Sequence, residues 1–122
     1  MRIHVPILVC VAFGIRTDAA QAKTPDCSGR WPTNMAFVEM KNAGVAKNEE
    51  IDFRLTKTVR LTSERIGKDL FRQVYLVTFI RKEGPPLQVL TISDASSDEC
   101  SMGSVRVFVV SQELGSQPQA PH

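Results

Sequence analysis

Leu70-Phe71-Arg72-Gln73-Val74-Tyr75-Leu76-Val77-Thr78-Phe79-Ile80-Arg81-Lys82 is the stretch on which the fold turns. It is the longest run rich in β-branched and aromatic residues, which pack well on a pleated surface, so it reads as a strand. Alternate residues of a strand point to opposite faces. Phe71, Tyr75, Val77 and Phe79 therefore share one face, and Leu70, Val74, Leu76 and Ile80 share the other. Both faces are apolar, which predicts a strand inside a sheet with something covering each side. Arg72 and Gln73 interrupt the run near its start, where a hairpin end would be wet.

The flanking residues extend this strand into a meander. Gly67-Lys68-Asp69 forms a tight turn back to a strand over Thr58–Ile66. Alternation there is read as Val59 and Leu61 facing in, with Thr58, Arg60, Thr62 and Glu64 facing out. On the other side Glu83-Gly84-Pro85-Pro86 stops the strand, because proline cannot donate to a ladder. Leu87–Ile92 returns as a third strand and Ser104–Ser111 as a fourth, separated by a polar loop, Ser93–Gly103. The segment Ala46–Lys57 reads either as a short edge strand or as a loop pinned by Ile51, Phe53 and Leu55; the loop is favoured.

Upstream, Ala36, Phe37, Met40 and Ala43 recur at helical spacing, and Gly44 supplies the left-handed residue on which helices often end. Pro32 suits a helix start, and Thr33 or Asn34 can cap its free amides. The spacing predicts a helix over Thr33–Ala43, too short to be stable unless docked on the sheet. The expected fold is α+β: one N-terminal helix on a four-stranded antiparallel meander, with one disulfide.

The ends bound the compartment. Arg2 is followed by an apolar run, Val5–Ile15, of signal-peptide length and too short to span a bilayer. Ala20-Gln21-Ala22 provides a small-x-small cleavage pattern, so residues 1–22 are read as a signal peptide. Bulky Val9 before Cys10 argues against a lipoprotein signal, so no membrane anchor is expected after cleavage. Residues 23–114 then form one domain, and residues 115–122 a disordered tail without large apolar side chains. The 100 residues after position 22 carry interspersed charges with a net of +1, which does not suit a nucleic-acid binder. Cys27 and Cys100 are the two cysteines left, and two cysteines in an exported chain most often pair. The expected localisation is periplasmic or secreted.

Chemistry-bearing patterns are sparse. His4 and His122 are the only histidines, both outside residues 23–114, which removes Ser-His and Cys-His nucleophile pairs from the domain. No glycine-rich phosphate loop is present. Asp94, Ser96 and Asp98 have calcium-loop spacing, but Glu99 stands where glycine is expected and Val105 where the twelfth-position carboxylate is needed. No metal or cofactor is expected.

The polar loop remains the best binding candidate through Asp94, Asp98 and Glu99, since loops on rigid scaffolds commonly carry contacts. Lys68 marks the neighbouring hairpin tip. Trp31 reads as a lid on the core or, if exposed, as an interface anchor. Arg60, Arg65, Arg72, Arg81 and Lys82 read as solvated strand positions.

The helix-then-meander layout over about residues 32–112 resembles cystatin-like folds and the units of β-lactamase-inhibitor proteins, in architecture only. No Gln-x-Val-x-Gly segment is present, and shared architecture does not carry function. The leading expectation is a non-enzymatic exported binding domain. Its most concrete form is an inhibitor or immunity protein against an envelope hydrolase or toxin, plugging a cleft with the 94–104 loop or the tips Gly67–Asp69 and Gly84–Pro86. The alternatives are a small hydrolase using Asp94, Asp98 and Glu99, and an assembly module pairing through a strand edge. The helix can cover only one face of Leu70–Lys82, so the other must meet the Ile51–Leu55 segment, the N-terminal lead-in or another molecule, a second copy included.

Overall fold

The computed structural model describes residues 23–111 together with Arg2; the signal-peptide and tail assignments lie outside the described residues. The chain runs through helix α1 (Trp31–Asn42), a 3-10 turn (Asn48–Glu50), and strands β1 (Ile51–Gly67), β2 (Leu70–Arg81), β3 (Leu87–Ala95) and β4 (Arg106–Val109). The strands form one antiparallel sheet in the order β1-β2-β3-β4. The helix lies over β2, β3 and β4, which makes the domain the predicted two-layer α+β arrangement.

Helix α1 starts two residues earlier than its expected cap. Pro32 occupies the first turn, and no side chain caps the free amides. Thr33 instead points at the sheet, where its hydroxyl meets that of Thr58 at 3.1 Å. The C-terminus follows the expected course. Gly44 takes φ +73°, its N–H donates to Lys41 O, and Val45 N–H donates to Met40 O, the double-bonded left-handed ending. Ala36 and Met40 are buried and Phe37 packs against the same core, whereas Ala43 is exposed.

The core lies between α1 and the inner sheet face. Tyr75, Val77 and Phe79 of β2, Leu87, Val89 and Ala95 of β3, and Ile51 are all buried there with Cys27 and Ala46. Phe71 is buried in the same phase of β2. That phase also includes Gln73, which is fully buried rather than wet at the hairpin end.

Two expectations about β1 are corrected. Residues 51–57 are not a loop but the start of a 17-residue strand. Ile51 pairs with Arg81 and Asp52 with Ile80, yet pairing resumes only at Lys57 with Thr78. Residues 53–56 therefore bulge opposite Phe79 alone, and Phe53 turns to meet Phe37 edge-on at 4.7 Å. The second correction concerns faces. Val59 pairs with Leu76, on the outer side of the sheet, while Thr58 and Arg60 pair with the inward Val77 and Tyr75. Val59 and Leu61 are both exposed, not inward-facing. The phase is inverted over residues 58–60, and the irregularity at Leu61 restores it, so Thr62 and Glu64 face outward as expected, opposite Val74 and Arg72. A second irregularity falls between Arg60 and Thr62, and a third between Arg65 and Gly67.

Candidate functional site

The hairpin tip β1–β2, the β3–β4 loop and the lead-in before α1 meet at one end of the domain. Lys68 and Asp69 form a tight turn between Gly67 and Leu70, which pair with each other. Arg65 supports that turn by donating to the carbonyls of Gly67 and Lys68. Asp69 then reaches out of its own hairpin: Ser97 donates to it through its amide at 2.9 Å and its hydroxyl at 2.8 Å. These two bonds hold the Asp69 carboxyl below the usual carboxylate range, by stabilising its charged form.

The β3–β4 loop is shaped from within. The Ser96 hydroxyl accepts the amides of Glu99 at 3.0 Å and Asp98 at 3.3 Å, while Ser96 N–H donates to Glu99 O at 2.8 Å. Such local side-chain bonds set a turn without a helix or ladder. Cys100, at the end of this turn, is bonded to Cys27 with a Cα–Cα distance of 5.7 Å.

The lead-in is strapped to the inner sheet face by a polar network. Cys27 N–H donates to the Tyr75 hydroxyl at 2.8 Å, and that hydroxyl donates to Gln73 Oε1 at 2.7 Å. Gln73 Nε2 donates to Pro25 O at 2.8 Å and to the Ser63 hydroxyl at 3.0 Å. Arg60 adds a bond to Pro25 O at 2.8 Å. Arg60, exposed as expected, thus also straps the lead-in.

Of the residues singled out by the sequence, Lys68, Asp98 and Glu99 are brought to this end and are exposed. Asp94 stands on the outer sheet face instead, held by Arg72 at 3.1 Å. The cleft that holds Asp94 is lined by Arg72, Ile92, Ser93, Ser104 and Arg106, so it contains neither Asp98 nor Glu99. Trp31 is 38% exposed at the start of α1, not a buried lid. The Gly84–Pro86 turn lies at the opposite end of the sheet, beyond the Phe79–Leu87 pair. Sequence reasoning misses Asp69, Ser97 and Gln73. Gln73 carries a signal, since it shares the phase of Phe71 and Tyr75; the Asp69–Ser97 contact spans 28 residues and carries none.

Among the described residues no group of three or more His, Cys, Asp or Glu is placed to hold a metal, and no helix is long and apolar enough to cross a membrane. The disulfide is compatible with an oxidising compartment outside the cytosol. No family model matches the chain, and comparison with curated proteins and solved structures returned no match either.

The clasp predicts an acid-sensitive element. Asp69→Ala should lower the melting temperature at pH 7, and the gap to the unsubstituted protein should close on acidification. The sign follows from the depressed carboxyl: its stabilisation is complete above the unfolded value, about 3.9, and is lost as pH falls through the lower folded value. Melting curves across that range check it; an equal gap at every pH would rule out the clasp as its source.

Proposed function

We propose that this protein is an exported, non-enzymatic binding domain that presents its stapled end to a cleft in a partner protein. The observation that carries this reading is the Asp69–Ser97 clasp, which joins two loops from different hairpins beside the Cys27–Cys100 bond. Loops ordered before binding lose less entropy on docking, so a small exposed edge can hold a partner. Lys68, Asp98 and Glu99 give that edge both signs of charge, which favours a specific protein surface over a polyanion. An inhibitor or immunity protein against an exported hydrolase or toxin is the concrete form.

The test is capture from the envelope or secreted fraction of the source cell, comparing the unsubstituted protein with a Lys68→Glu/Asp98→Ala/Glu99→Ala variant. One stoichiometric partner, retained by the first and lost by the second with unchanged circular dichroism, is the expected result. A partner retained equally by both would move the contact away from this end.

A further inference from the structure

The outer face of the sheet carries an ordered pattern that the stapled end does not use. Three adjacent rows cross it at right angles to the strands, next to a polar row of Lys57, Thr78 and Gln88. Val59, Leu76, Leu90 and Phe108 are successive cross-strand partners and make one row wholly apolar. Beside it run Thr62, Val74, Ile92 and Arg106, and beyond those Glu64, Arg72 and Asp94. Among the described residues nothing covers this face: Val59 is 55% and Phe108 41% exposed, and Val74, Leu76, Leu90 and Ile92 are only partly buried. A contiguous apolar patch with a charged rim on a small domain marks an interaction surface.

The edges of the sheet are poor alternatives. Strand β1 is broken by three register shifts and β4 has four residues, both features that blunt strand addition. The face, by contrast, is complementary to itself. Consider a two-fold axis parallel to the strands and midway between β2 and β3. It places β2 of one copy on β3 of the other, and β1 on β4, without shifting the rows. Arg72 then faces Asp94 of the second copy, and Asp94 faces Arg72 of the second copy. Leu76 meets Leu90, Val74 meets Ile92, and Val59 meets Phe108, while no like charges are opposed. The rows span about five residues of β1, β2 and β3 and at most four of β4, so strands about 4.8 Å apart give a planar footprint of roughly 300 Å² per copy. That is below the roughly 800 Å² each partner buries in a standard interface, so the dimer expected is a weak, concentration-dependent one.

We propose that this face is the interface of an isologous homodimer, two sheets packed face to face about that axis, with reciprocal Arg72–Asp94 contacts across it. Aligned packing of two twisted sheets is a common way to bury such faces. The dimer leaves both stapled ends free, so it stands or falls independently of the partner-binding reading.

Light scattering on the full chain over a concentration series tests it, with circular dichroism to verify folding. The protein should approach the dimer mass as concentration rises, and Leu76→Arg should weaken association about 30-fold or more, as expected of a central buried contact. Two further variants need not disturb the core: Arg72→Glu and Asp94→Lys, each expected to dimerise poorly alone. Mixing them should restore a dimer. The carboxylate placed at position 72 of one chain then faces the ammonium placed at position 94 of the other, while the natural Asp94 and Arg72 meet at the second site. Like charges remain within each chain, so rescue can come only from across the interface. A monomer at all concentrations overturns the proposal. So does a dimer indifferent to Leu76→Arg, or a mixture of folded variants that shows no rescue.

Discussion

Replacing Cys27 and Cys100 together by serine should lower the unfolding free energy by about 4 kcal/mol, a large share of the stability of a domain this small. The bond closes a loop of 73 residue steps, and its removal releases the unfolded chain from that constraint. Native contacts change little in comparison, since the Cys27 amide that bonds Tyr75 belongs to the backbone and survives the substitution. Urea unfolding is the measurement. The midpoint should fall and the m-value should rise, because an uncrosslinked unfolded chain exposes more surface. A loss below about 1 kcal/mol would mean that the unfolded chain is already compact around this pair. The same variant should bind a stapled-end partner more weakly, since the β3–β4 loop then keeps only its internal bonds and the Asp69–Ser97 clasp.

Tyr75→Phe should cost about 2–4 kcal/mol, far more than removal of an exposed hydroxyl. The Tyr75 oxygen accepts from Cys27 N–H and donates to Gln73 Oε1, so its loss leaves two polar groups without that partner. Each buried group so orphaned costs about 1–3 kcal/mol. Adding Gln73→Leu removes one orphan, so the double variant should be more stable than the sum of the two single losses. Simple additivity by urea unfolding would show that the two side chains act separately. Burial also raises the Tyr75 hydroxyl above its ordinary value, with the Cys27 amide opposing. The neutral form is thus favoured in the fold. Its stabilisation is complete below the unfolded value, about 10, and is lost as pH rises through the higher folded value. Because Tyr75 is the only tyrosine, phenolate absorbance against pH reads this titration directly.

The legible parts of the fold are those carried by short-range pattern. Alternation in β2 separates its two faces, the Gly67–Asp69 and Gly84–Pro86 turns place the hairpins, and Gly44 marks the helix end. Less is legible of the site. Lys68, Asp98 and Glu99 stand out because loops and turns are where side chains are free to bind, yet nothing local says that their loops touch. Gln73 is easily misplaced, because a polar residue near a hairpin end competes with its own phase. Residues 53–56 read as a loop because a bulge has a loop's spacing and a strand's partners.

By itself the sequence determined the helix-then-meander order, the Cys27–Cys100 pairing and the presence of one apolar strand face more than one helix could cover. Each follows from properties a residue has wherever the chain goes: side-chain period, turn chemistry and thiol count. Tertiary structure alone decided which side of β1 faces the helix, that Asp69 clasps Ser97, and that Val59, Leu76, Leu90 and Phe108 align in one row on the bare face. The reason is that a bulge reverses the phase of the strand up to the next bulge, and only pairing with distant residues reveals where the bulges fall.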